Sequence, residues 1–180
     1  MSDLEQVDHL LNQFIENSPT LSNGKEAMGK YVAMIDDNFN LSDYKILLER
    51  SYYKFEEWLN DLLVKEKPDE DIVAFNFGLY EIENSIQIYI SGSNEWDSDD
   101  EDWESNNDYF PEGRYLSIPL YDNLYRILDD NFEVGLFLTI ASTIILIHTY
   151  VGTSSSRLPK GVALATGFDD GDLYNFGEIK

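Results

Sequence analysis

A calcium ion takes oxygen ligands from alternate positions of a loop, and "DSDDEDWESNND" offers them. Asp97, Asp99, Glu101 and Asp108 stand first, third, fifth and twelfth in that stretch. The sixth position, where an EF-hand loop turns sharply on glycine, is Asp102. A strand rather than a helix is expected just before the stretch, so diffuse association with divalent ions fits better than a dedicated site. Nucleophilic chemistry finds less. The two histidines are His9, beside Asp8 on a solvent-facing helix surface, and His148, followed by Ser154, Ser155 and Ser156. No serine sits in a G-x-S-x-G turn and there is no cysteine, so the expected role of His148 is a hydrogen-bonded helix end rather than a base. "GTSSSRLPKG" has glycine, hydroxyls, Arg157 and Lys160, but it lacks the P-loop spacing and follows a helix rather than a strand. Paired carboxylates for hydrolysis are defined by a separation in space, which a chain this acidic cannot select. No catalysis, cofactor or metal is expected.

Recognition remains. Glu95, Asp97, Asp99, Asp100, Glu101, Asp102 and Glu104 are seven acids within ten residues, with no basic residue among them. Charge runs of this kind are ordinarily solvated, yet Trp96, Trp103, Tyr109 and Phe110 interrupt this one. Large aromatic rings gain by burial, so Trp103 and Phe110 are expected to turn inward and staple the loop to the domain. The carboxylates would then stand outward as an ordered anionic ridge, suited to lysine and arginine on another protein. Asp169, Asp170 and Asp172 of the "DDGD" turn could add to it, although a solvated hairpin turn is the simpler reading.

The whole chain is biased the same way. Its 180 residues carry 35 acidic against 12 basic side chains, a net charge of −23. Such a surface repels nucleic acid and anionic membranes and attracts basic proteins. A hydrophobic content of 43%, with 14% aromatic residues, argues for one well-filled domain rather than disorder. The absence of cysteine suits a reducing cytoplasm, and "MSDLEQVDHLLNQ" lacks the pattern of a signal peptide. "VGLFLTIASTIILIHTYVG" is long enough to span a membrane. With Thr139, Ser142, Thr143 and His148 inside it and no basic or tryptophan flanks, it is read as a buried core helix.

Elements to position the ridge follow from periodicity. Apolar residues at three- and four-residue spacing predict helices over 4–15, with Ser2 as N-cap, over 25–38, interrupted by Gly29, and over 42–65. "IVAFNFGLYEI" and "SIQIYIS" alternate around Glu83-Asn84 as a β-hairpin, and "RYLSIPL" reads as a short edge strand. An amphipathic helix and the apolar helix follow, and a second hairpin turns at Asp170-Gly171, where Gly171 is expected to take positive φ. The resulting expectation is a single α+β domain over 1–180: helical over 1–66, hairpin 71–92, acidic loop 93–112, helices 120–150, C-terminal hairpin 161–180. Its sheet is expected to be antiparallel, built from the two hairpins and covered by helices.

With those elements placed, "EWDSDDEDWESNNDYFPEGRYL" together with "GFDDGDLYNFGEI" resembles the small acidic immunity proteins that bacteria encode beside secreted polymorphic toxins. In that family an acidic D-x-D-x-D-W-type loop, a downstream proline and aromatic segment and a closing G-[FY]-D-D-G hairpin recur. The matching positions are Asp99 to Trp103, Tyr109 to Arg114 and Gly167 to Leu173, a small part of the chain. The resemblance implies a cytoplasmic domain that binds and blocks a toxin, without catalysis of its own. Nuclease toxins tend to be basic, which agrees with the ridge read from the residues; the partner surface expected is Glu95, Trp96, Asp97, Asp99 to Glu104, Asp108, Asp169, Asp170 and Asp172. An acidic scaffold or metal-regulated protein with a different basic partner is the alternative reading, and an enzyme a third.

Overall fold

A computed structural model describes residues 3–180, so the expected cap at Ser2 lies outside the described residues. Three helices come first: α1 (Asp3–Glu16), α2 (Gly24–Ile35) and α3 (Ser42–Lys65). Strands β1 (Ala74–Ile82) and β2 (Ser85–Ser93) form the first hairpin, with Asn84 at φ 59° in its turn. Asparagine tolerates that left-handed conformation better than most residues. After the acidic loop come β3 (Tyr115–Leu116), α4 (Pro119–Asp130), α5 (Phe132–Val151), β4 (Ala163–Phe168) and β5 (Tyr174–Glu178). Helix α2 stops short of the expected Asn38, because Asp36 turns extended and its Oδ1 accepts a hydrogen bond from the Asn38 backbone N–H at 3.0 Å.

The domain is α+β, with the sheet order β3-β2-β1-β4-β5. Both hairpins form, but β1 and β4 pair in parallel, Ala74 beside Ala163 through Leu79 beside Phe168. The sheet is therefore mixed, where an all-antiparallel one was expected. A parallel pair needs a long crossover, and α4 and α5 supply it. Alternation then gives the sheet two unlike faces. Phe75, Phe77, Leu79, Ile86, Ile88, Ile90 and Leu164 join the helices in the main core. The other face is made of small and polar residues: Ala74, Asn76 and Gly78 on β1, Tyr89, Ser91 and Ser93 on β2, Ala163, Ala165 and Gly167 on β4.

Helix α5 is apolar all round, as a helix enclosed by protein must be. It is the one described helix long and apolar enough to cross a membrane, and most of it is buried inside the protein, as in the core of a soluble domain. Its hydroxyls are all accounted for. Thr139 and Thr143 donate to the carbonyls of Gly135 and Thr139, and Ser142 to that of Leu138. Tyr121 and Tyr44 bond Thr143 and Ser142, Thr149 donates to the Ile145 carbonyl and Tyr150 to Asn60 Oδ1. Burial without partners would cost about 1–3 kcal/mol per group; here the polar atoms stay paired.

The second hairpin corrects one expectation. Five residues, 169–173, separate β4 from β5, and Gly171 does not take positive φ. It closes a four-residue turn by donating its N–H to the Phe168 carbonyl at 2.9 Å, the last position of a turn, where glycine is favoured without being required. A side chain at 171 would meet Phe168 only at ordinary contact distance. A substitution such as Gly171→Val therefore meets no left-handed backbone strain.

Candidate functional site

The acidic loop leaves β2 and is tied down at both ends. Gly92 and Tyr109 exchange backbone hydrogen bonds of 2.8 and 3.0 Å, and Asn94 N–H donates to Asp108 Oδ2 at 3.0 Å. Ser93, fully buried, bonds the backbone of Glu95 twice and accepts from Asn106 Nδ2. Trp103, in a single 3-10 turn over Asp102–Ser105, is 4% exposed and lies on Ala74, Ala163, Ala165 and Leu173. The small side chains of the outer sheet face make room for the indole. Three buried polar atoms of this layer, Trp103 Nε1, Asn76 Oδ1 and Asn175 Oδ1, have no hydrogen-bond partner.

The far side of the loop is strapped to the end of α3. Tyr109 packs edge-on against Phe75, and its hydroxyl donates to the Glu66 carbonyl at 2.7 Å. The Glu66 carboxylate accepts from the backbone N–H groups of Glu112 and Gly113 at 2.6 and 2.8 Å, while Trp58 Nε1 donates to the Gly113 carbonyl. The ring expected to turn inward with Trp103 was Phe110, which is instead 43% exposed. Tyr109 holds the inward position because its backbone pairs with Gly92, and the next residue faces the other way. Phe110 is covered in part by the Arg114 guanidinium, 3.8 Å above its ring.

The tip of the loop behaves differently. Asn94 to Asp102 is exposed throughout. The tip folds on itself through two turns in which Asp97 Oδ1 accepts from Asp99 N–H and Asp100 Oδ1 from Asp102 N–H, both at 2.9 Å. Trp96 stays partly exposed, at 36%. Glu95, Asp97, Asp99, Asp100, Glu101 and Asp102 thus project as an ordered acidic ridge. No basic residue occurs between Lys67 and Arg114. The salt bridges among the described residues, Lys25–Glu49 and Lys65–Asp61, lie on α2 and α3 and leave the ridge unneutralised. Among the described residues no three histidine, cysteine or acidic side chains gather closely enough to hold a metal ion.

The acids of the terminal turn divide between two places. Asp169 belongs with the loop: it accepts from the Tyr89 hydroxyl at 2.6 Å, and its charge acts on Glu104. Between the loop and the outer sheet face lies a cleft of about 390 Å³, lined by Tyr80, Tyr89, Tyr115, Phe110, Glu104 and Asp169, among others. The tyrosine rings pack in a triangle with centroids 5.9 to 6.2 Å apart. Gly78 and Gly167 pair side by side beneath neighbouring groups. A Cβ on Gly78 would strike the Tyr89 ring at 2.2 Å, and one on Gly167 the Asp172 carbonyl at 2.4 Å. Burial, then the charges of Asp169, Glu101 and Asp102, raise the Glu104 carboxyl above its ordinary pKa. Burial and the bond to Asp169 push the Tyr89 hydroxyl up, so it stays a donor.

Asp170 and Asp172 instead rim a groove of about 340 Å³ with Asp8 and Glu81, over a floor that includes Leu128, Phe132, Leu136 and Ile140. They do not join the acidic loop there. His148 sits between the Pro19 and Phe176 carbonyls, with ring nitrogens at 3.2 and 3.4 Å, and burial lowers its pKa. Among the described residues no serine hydroxyl bonds it, and Ser155 donates to Glu56 instead. His9 is exposed and bonds Gln13. The sequence reading missed the tyrosines of the cleft, although the alternation in "SIQIYIS" puts Gln87, Tyr89 and Ser91 on one face. No protein-family model, curated protein or solved structure matches this chain.

Proposed function

We propose that the protein is an inhibitory binding module: a cytoplasmic immunity protein that neutralises a cognate, basic toxin domain, of nuclease type, through its acidic surface. The observation that carries this reading is the division of labour in the loop. Trp103 and Tyr109 are turned inward, so the carboxylates from Glu95 to Asp102 are held outward, with no basic residue between Lys67 and Arg114 to neutralise them. A solvated tail would not need such anchoring. An ordered ridge attracts a cationic surface and limits the conformational freedom lost on binding. The metal-regulated alternative finds no cluster of three ligand side chains among the described residues to rest on. The site also lacks a nucleophile paired with a base, which leaves recognition as the chemistry it supports.

The test is co-expression with the C-terminal domain encoded by the adjacent reading frame. Cells should survive the domain only when this protein is present, and the two should purify as a complex that salt dissociates. Equal killing with and without the protein would reject the reading.

A further inference from the structure

Resting on the reading that the partner is basic, we propose that the cleft between the acidic loop and the outer sheet face receives one arginine side chain of that partner. Its guanidinium plane would lie against the tyrosine rings and its N–H groups on the carboxylates of Glu104 and Asp169. Three observations converge on this ligand. Three aromatic rings, from Tyr80, Tyr89 and Tyr115, line the walls, and aromatic rings attract cations. Two carboxylates from distant parts of the chain are brought to the same opening, and neither takes part in a salt bridge among the described residues. The same wall already holds a guanidinium. Arg114 lies 3.8 Å from the Phe110 ring centroid and 4.5 Å from that of Tyr115, at the edge of the cleft.

Arginine fits better than lysine because a planar, delocalised cation both stacks and offers paired donors, whereas an ammonium is a compact, strongly hydrated point charge. Asp169 is oriented by the Tyr89 hydroxyl on its Oδ1, so part of the ordering cost is met before the ligand arrives. Arg114 contributes one positive charge near the opening. Glu104, Asp169, Glu101 and Asp102 outnumber it, and their charges all bear on the same spot.

The test uses the full chain with selectively labelled tyrosines and N-acetyl-arginine amide as the probe, followed by NMR. Saturable shifts are expected at Tyr80, Tyr89 and Tyr115, with N-acetyl-lysine amide binding more weakly. Glu104→Gln and Asp169→Asn should each weaken the arginine probe by about tenfold, through loss of a charge-assisted contact. Asp99→Asn with Asp100→Asn, out on the tip, should leave its binding unchanged. Absence of saturable shifts, or equal response to arginine and lysine abolished by the tip variant, would overturn the cleft assignment. Toxin neutralisation by a protein whose cleft ignores arginine would overturn this assignment and leave the immunity reading standing. Arginine binding with no neutralisation would do the reverse.

Discussion

The base and the tip of the acidic loop are adjacent in sequence but are held by different physics. At the base, Ser93, Trp103, Asn106, Tyr109 and Glu112 are fixed by burial and by hydrogen bonds to β2 and to the end of α3. At the tip, Asp97 to Asp102 make short-range bonds, among themselves and to Glu104, and every residue is exposed. The base behaves as an extension of the core, and the tip as surface chemistry mounted on it. Substitutions in the two should therefore fail differently, the first in stability and the second in association.

The largest effect is expected at Trp103. Trp103→Ala removes the largest side chain of the cluster with Ala74, Ala163, Ala165 and Leu173 and should cost about 3–5 kcal/mol. Chemical denaturation measures this, and an unchanged midpoint would place the loop outside the folded core. Ser93→Ala comes next. Its hydroxyl is buried with three bonds to the loop, so removing it should cost about 1–3 kcal/mol. A loss far below that range would mean that the Gly92–Tyr109 pairing alone fixes the base.

Glu104, at the junction, should act in the opposite direction. Its folded-state pKa is raised, so the folded protein binds the proton more tightly than the unfolded chain. Stability from this group is present below the unfolded pKa and is lost as pH rises through the folded one. Glu104→Gln should therefore give a small gain at neutral pH that disappears on acidification. A uniform loss at all pH values would show that the carboxylate is held by favourable contacts. The smallest effect on folding belongs to the tip. Asp99, Asp100 and Asp102 changed together to Asn should leave stability within about 0.5 kcal/mol, while association with the proposed basic partner slows and loses part of its salt dependence. Stopped-flow traces that match the parent at low and high salt would reduce the tip to inert surface.

Much of this was legible in sequence, for identifiable reasons. Helix α3 and the first hairpin follow strong three-to-four and two-residue periodicities, and Glu83-Asn84 is a local turn signal. The inward Trp103 follows from the cost of exposing a large ring. What was not legible depends on pairings between distant segments. Nothing local to Ala74 or Ala163 says that they lie side by side in parallel, and the triangle of Tyr80, Tyr89 and Tyr115 needs β3 to return across the acidic loop and pair with β2. Phe110 was misplaced because a choice between adjacent aromatic residues turns on register. The division of Asp169 from Asp170 and Asp172 reflects a five-residue loop where the dipeptide signal suggested a tight turn.

The parallel pairing of β1 with β4 also sets an order of events. Loop closure between Ala74 and Ala163 is a long-range step, entropically slow compared with local hairpins and helices. Until it occurs, one edge of β1 has no partner, and Trp103 lacks Ala163 and Ala165 to lie on. Open edges are where unfinished chains associate wrongly. In that interval the dense negative charge of the loop, still unanchored, would keep such chains apart by repulsion. The same carboxylates would thus oppose self-association before the loop is anchored, and form the proposed recognition surface afterwards.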